Sequence, residues 1–186
     1  MAFLATTGLV NWTRTPQREP IIPVGPAGAW DSGMVVTAAG PVWIDGMQLC
    51  FYYGGFDAVH DMPISETEAA IGLATLRLDG FCSYHGGDQE GHLITRREAF
   101  TVPRVRINAR TADGGYVVAE LLDRNNEVIP EFSREECVAF RGDEISHWLT
   151  WQTDRFPEEY MGADKKIRFI IKNGDLYSYL PDGLSE

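Results

Sequence analysis

Trp30 and Asp31 stand next to each other in the run Trp30-Asp31-Ser32-Gly33-Met34-Val35. An aromatic ring beside a carboxylate suits a sugar, with the ring as a stacking surface and the carboxylate as an acid, base or nucleophile. Cleavage of a glycoside needs two facing carboxyl groups, about 5–5.5 Å apart for retention and about 6.5–9.5 Å for inversion. Asp31 is the candidate catalytic member. The same residues also fit an aspartate that bonds its own turn at Ser32-Gly33. Asp57 and Asp61 lie on a stretch able to approach Asp31, but nothing in the spacing requires it. A solitary carboxylate is no active site.

A second constellation follows from strand alternation, which sends successive side chains to opposite faces. In 104–110, Val105, Ile107 and Ala109 point one way, and Arg104, Arg106, Asn108 and Arg110 the other. In 165–172, Ile167, Phe169 and Ile171 are core, with Lys166, Arg168 and Lys172 outside. In 145–152, Ile145, His147, Leu149 and Trp151 share the inner face, leaving Trp148 outside between Ser146 and Thr150. A large indole on a polar face, with planar polar groups beside it, is the equipment of a sugar-binding surface. The candidate set is Trp148, Arg106, Asn108 and Arg168, with Trp30 and Tyr52 from the N-terminal part and Tyr177 or Tyr179 as flanks. The competing reading is that this face packs on the N-terminal segment or mediates self-association as a homo-oligomer.

The remaining motifs are weaker. His85-Gly86-Gly87-Asp88-Gln89-Glu90-Gly91-His92 collects two histidines and two carboxylates, but its spacing matches no metal motif. It reads as a solvated hairpin, with no metal or cofactor expected. Ca²⁺ through Asp88 and Glu90 is the cation reading left open. Cys50, Cys82 and Cys137 are odd in number, widely spaced and set among apolar residues, so they read as small buried hydrophobes. Reduced cysteines are compatible with the cytoplasm without establishing it. Arg141-Gly142-Asp143 reads as a turn with an internal ion pair. No phosphate loop, nucleophile elbow or Cys–His spacing occurs.

The elements that must carry these residues are strands. Short β-rich runs separated by Gly, Pro, Asn and Asp dominate, and helical periodicity is almost absent. Residues 1–64 are rich in glycine and proline, with strands expected at 34–38, 40–44 and 47–53, the last two joined by an Asp45-Gly46 turn. Residues 65–183 carry clean period-2 runs, with turns expected at Asp79-Gly80, Asp113-Gly114-Gly115, 123–126 and Asn173-Gly174-Asp175. The expected fold is all-β: a jelly-roll-like two-sheet β-sandwich over 65–183, preceded by a β-hairpin or propeller-blade-like segment over 1–64.

Charge narrows the partners. The 186 residues hold 16 Lys plus Arg against 27 Asp plus Glu, a net charge of −11. Nucleic acid and anionic membrane both call for a cationic surface, so neither is expected. Neutral polymers stay open. The first ten residues lack a basic stretch and read poorly as a signal peptide, and no transmembrane run is visible.

Taken together, certain motifs resemble a known group. Trp30–Val35, Phe51-Tyr52-Tyr53-Gly54-Gly55 and 70–81 resemble the closing part of a β-propeller of the fructan-hydrolase and arabinanase type. Glu90–Thr95, the 117–122 strand followed by Val128–Ser133, Cys137 near Arg141-Gly142-Asp143, and Leu176-Tyr177-Ser178-Tyr179 resemble the C-terminal β-sandwich of bacterial glycoside-hydrolase-like proteins. A propeller needs several blades of about 40–50 residues. The resemblance therefore implies a last blade or its remnant plus the sandwich, without the segment that supplies such enzymes with a nucleophile or base. It implies a non-catalytic module that binds polysaccharide or supports a hydrolase catalytic domain. The alternative is a hydrolase fragment using a carboxylate pair that includes Asp31.

Overall fold

The computed structural model describes residues 4–7, 11–14, 19–40, 42–44, 48–161 and 164–183. The chain is all-β, and every pairing is antiparallel. The strands are β1 (Leu4–Thr7), β2 (Asn11–Arg14), β3 (Met34–Thr37), β4 (Val42–Ile44), β5 (Gln48–Phe56), β6 (Ala69–Arg77), β7 (Tyr84–Gly86), β8 (Gly91–Ile94), β9 (Glu98–Ala99), β10 (Arg104–Leu122), β11 (Asp143–Thr150) and β12 (Asp164–Pro181). Among the described residues only short 3₁₀ turns interrupt them, at Ile64–Glu66, Pro130–Phe132 and Glu158–Tyr160, and no helix is long and apolar enough to cross a membrane. The Asp45-Gly46 turn lies outside the described residues.

The chain divides into two compact units, Met1–Phe81 and Cys82–Glu186. The division lies beyond the 64/65 boundary suggested by composition. The reason is β6, whose residues Ala69–Arg77 pair along the whole of β5 and so belong to the first unit. In that unit β5 is central, with β3 and β4 sharing one edge and β6 on the other. Gly80 N–H bonds the Arg77 carbonyl and Asp79 has φ 56°, so the expected Asp79-Gly80 turn ends β6.

The second unit is a jelly-roll-like sandwich made from one ribbon. β10 and β12 pair along nearly their full lengths, from Val105 opposite Pro181 to Leu122 opposite Lys166. Phe169 and Tyr179 lie ten residues apart on β12, which would be about 33 Å along a straight strand. Their ring centroids are 5.3 Å apart. The ribbon is therefore doubled over, with its halves facing each other as two layers. In the first layer β11 and β7 flank the 104–111 and 174–181 halves. In the second, β8 flanks β12 at 168–171, while Phe140 and Val128 bridge to the free edge of β10. Between the layers lie Val105, Ile107, Ala109, Leu149 and Leu176 from one side, and Val117, Ala119, Leu121, Ile167 and Phe169 from the other, all fully buried. Burying each such aliphatic side chain contributes roughly 1.5–3 kcal/mol. Trp151, just beyond β11, ties the layers by donating its indole N–H to the Ala119 carbonyl at 3.1 Å.

Asp113-Gly114-Gly115 and Asn173-Gly174-Asp175, expected as turns between separate strands, are instead where β10 and β12 bend without breaking. Register passes from Thr111–Gly174 to Tyr116–Lys172, so β10 holds extra residues on the outside of the bend. Gly114 has φ +72° and Asn173 φ 42°, a region that Gly and Asn enter most readily. A Cβ on Gly115 would meet the Asn173 carbonyl oxygen at 2.3 Å. Arg141 closes the corner by donating to the Gly115 carbonyl and laying its guanidinium over Tyr116 at 5.3 Å, in place of the ion pair expected within Arg141-Gly142-Asp143. Cys50 and Cys137 are buried as expected; Cys82 is exposed, because it directly follows the turn that ends the first unit.

The corner yields a stability test. Gly115→Val is expected to cost about 1–3 kcal/mol by overpacking against backbone that cannot yield, read as a lowered denaturant midpoint. Gly87→Val, where a Cβ meets nothing within 4 Å, is the matched control.

Candidate functional site

On the outer face of the first layer, pairing sets side chains in rows across the strands. Trp148 stands opposite Arg106, which stands opposite Leu180. Trp148 is 39% exposed and Leu180 44%. The guanidinium of Arg104 lies 4.5 Å from the Trp148 ring centre and that of Arg106 5.9 Å, the cation–π range. Arg104 is held from behind by Asp182, Nε to Oδ2 at 2.5 Å. The indole is thus outward, as alternation required, but partly occupied by arginine.

Four residues further along β10, about 13 Å, a second row crosses four strands: Asp143, Arg110, Asp175 and His85. Asp175 is the hub, accepting from Arg110 at 2.9 Å, Ser83 at 2.9 Å and His85 Nδ1 at 3.0 Å. Burial alone would raise its pKa, but the bonds from Arg110, His85 and Ser83 together carry it below the ordinary carboxylate value. Between the rows, β11 and β12 each bulge by a residue opposite Asn108–Ala109.

The other expected members of this surface are placed elsewhere. Asn108 is only 2% exposed, sitting between the two bulges, and offers no open amide. Arg168 lies on the second layer opposite Glu120 and is spent on that carboxylate, which is 5% exposed. Tyr179 packs inward on Phe169. His147 is half-buried against the Phe140 ring at 4.7 Å, as expected of an inward histidine.

In the first unit, Trp30 stacks on Tyr53 with centroids 5.7 Å apart, and the Tyr53 hydroxyl donates to Asp31 Oδ2 at 3.1 Å. Burial first, and Asp31 second, raise the Tyr53 phenol above its usual pKa. The rings lie close on the sheet because Gly55 and Gly72 have no Cβ to obstruct them. Asp31 is thus partnered by a phenol. Asp57 accepts instead from the Glu68 N–H at 2.8 Å, and Asp61 is fully exposed beside His60. Tyr52 precedes Tyr53 on β5 and so faces the opposite side of the sheet from Trp30, opposite Leu73.

Glu90, one of the two carboxylates offered for Ca²⁺, is taken up by a bidentate pair with Arg134 (2.7 and 3.0 Å) and by the Tyr116 hydroxyl. These bonds, Arg134 first, hold it at a pKa of about 2. Among the described residues no group of three or more His, Cys, Asp and Glu side chains is arranged for a metal.

The chain matches no protein-family model, no curated protein and no solved structure.

A cavity of about 510 Å³ was not foreseen. Asp123, Arg124, Asn125, Glu159, Tyr160 and Asp164 line it, together with Lys165. Lys165 is 1% exposed, bonds the Phe100 carbonyl at 3.3 Å and lies over Phe156 at 4.2 Å. Burial lowers its pKa, against an opposing pull from Asp164. A signal existed: alternation with Ile167 and Phe169 puts Lys165 inside. The cavity itself had none, since its walls come from separate segments.

Two measurements follow. Arg168→Ala leaves the buried Glu120 carboxylate without its cation and is expected to cost about 3–5 kcal/mol in unfolding free energy, whereas Arg106→Ala, at an exposed position, changes stability by about 0.5 kcal/mol or less. The folded pKa of Glu90 lies below its ordinary 4.5, so its contribution is full above pH 4.5 and vanishes as pH falls through about 2. Glu90→Gln is therefore expected to lower stability by roughly 1 kcal/mol at neutral pH, the pair being partly exposed to solvent. That gap should close at pH 2 in urea titrations.

Proposed function

We propose that this protein is a non-catalytic carbohydrate-associated β-sandwich module that binds polysaccharide on the outer face of its first layer. The observation that carries the reading is Trp148: an indole 39% exposed on a sheet face that it shares with Leu180, His85, arginines and carboxylates. Sugar rings stack on such a surface through their C–H faces, and guanidinium and carboxylate groups fix hydroxyls in a defined plane. Arg104, pinned by Asp182, and Arg110, pinned by Asp175, are already ordered, so little side-chain entropy is lost on binding. About 13 Å separates the two rows, the span of a short oligosaccharide. The resemblance of its sandwich motifs to those of glycoside-hydrolase-like proteins favours the same ligand class, with the module accompanying a catalytic domain.

Hydrolysis by this chain is the weaker reading. Asp31 is bonded to a phenol and Asp57 to a backbone N–H, so neither is set as half of a facing carboxyl pair.

Affinity electrophoresis through gels containing soluble polysaccharides, with tryptophan fluorescence alongside, tests the proposal. Trp148→Ala is expected to abolish retardation, the loss of a stacking contact weakening binding about tenfold or more. Asp31→Asn should leave it unchanged. Retardation that survives Trp148→Ala, or turnover of aryl glycosides that disappears in Asp31→Asn, would overturn this reading.

A further inference from the structure

We propose that the cavity between the 123–126 turn, the Glu158–Tyr160 3₁₀ turn and the start of β12 is a second carbohydrate site, taking a single sugar unit or a chain end. The inference shares the ligand class of the proposed function but not its surface. About 510 Å³ lies within the 300–1,000 Å³ usual for small-molecule pockets. The wall chemistry then selects the ligand. Arg124 and Lys165 are cations, Asp123, Glu159 and Asp164 are anions, and Asn125 presents an amide. A ligand of either charge meets repulsion from part of this wall. A neutral polyol does not, because each hydroxyl both donates and accepts and so satisfies guanidinium, amide and carboxylate alike.

Tyr160 adds a ring whose apolar face suits the C–H face of a sugar. The wall is also pre-formed. Asp123 Oδ1 accepts from the backbone N–H groups of Asn125 and Glu127 at 2.8 and 2.9 Å, which locks the turn carrying Arg124 and Asn125. Tyr160 N–H bonds the Pro157 carbonyl at 2.9 Å, and Lys165 is anchored on the Phe100 carbonyl.

The test titrates the ¹⁵N-labelled full chain with D-glucose, D-galactose, D-mannose, D-fructose and L-arabinose. The expected result is a saturable shift of the Asn125, Glu159, Tyr160 and Lys165 amides with at least one sugar. Tyr160→Ala and Asp164→Ala should each weaken it about tenfold, the effect of losing one stacking contact or one charge-assisted hydrogen bond. Asp164 is exposed and Tyr160 half-buried against the core, so retained dispersion across the spectrum is the check that each variant folds. Trp148→Ala should leave the cavity shifts intact. If sugars move only the Trp148 indole N–H, the cavity proposal falls and the outer face stands. If nothing moves at the cavity the cavity proposal falls, while the outer face stands or falls separately by the polysaccharide gels. Cavity shifts indifferent to both variants would also overturn the proposal.

Discussion

The sandwich depends on one constraint, the doubling-over of the β10–β12 ribbon. A flat antiparallel ribbon with apolar residues on one side would leave that side in water. Folding it at Gly114-Gly115 and Asn173-Gly174 brings Phe169 against Tyr179 and encloses Val105, Ile107, Val117 and Ile167 between its own halves. The bend requires backbone that other residues resist: a positive φ at Gly114 and a close approach of Gly115 to the Asn173 carbonyl. Arg141, fixed on the Gly115 carbonyl and the Tyr116 ring, closes the corner from outside. Trp151 secures the layers across the interior.

Once the inward positions are settled, the outward ones follow. Arg104, Arg106 and Arg110 are outside because Val105, Ile107 and Ala109 are inside. The charges that result are not left to water alone. Asp182, Asp175 and Glu120 each meet an arginine across a strand pair or at its end. These contacts differ in kind: the exposed ones hold side chains in place with little effect on stability, whereas Glu120, nearly sealed, depends on Arg168. Trp148 belongs with the exposed group, and that is why the proposed ligand binding is tested on it.

Much of this was legible in the sequence, for a definite reason. Period-2 alternation is a local property, and it put Val105, Ile107, Leu149, Phe169 and Trp148 on the faces where they are found. Partnership across strands is not local. Nothing near Arg168 announces that Glu120 sits opposite, nor does anything near Glu90 announce Arg134. The glycine-rich runs were read as turns because Asp-Gly-Gly and Asn-Gly-Asp chemistry serves a bend and a hairpin equally well, and only pairing separates the two. The place of β6 beside β5 is hidden for the same reason: its alternation is clear in the sequence, its partner is not. Asn108 alternates outward by count, yet bulges in both neighbouring strands leave it buried.

The long ribbon also governs how the chain reaches its native state. β10 and β12 are joined by no tight hairpin; their nearest partners in sequence are Leu122 and Lys166, with all of β11 intervening. The first productive contact must therefore close a large loop before any pairing compensates for the lost entropy. Zippering then runs from that end towards Val105 and Pro181, past a corner where register changes. Such topology places folding among the slow β architectures, on a timescale of about milliseconds to seconds. Until the ribbon closes, the open edges of β10 and β12 stay available to other chains, so protein concentration during refolding decides between closure and aggregation.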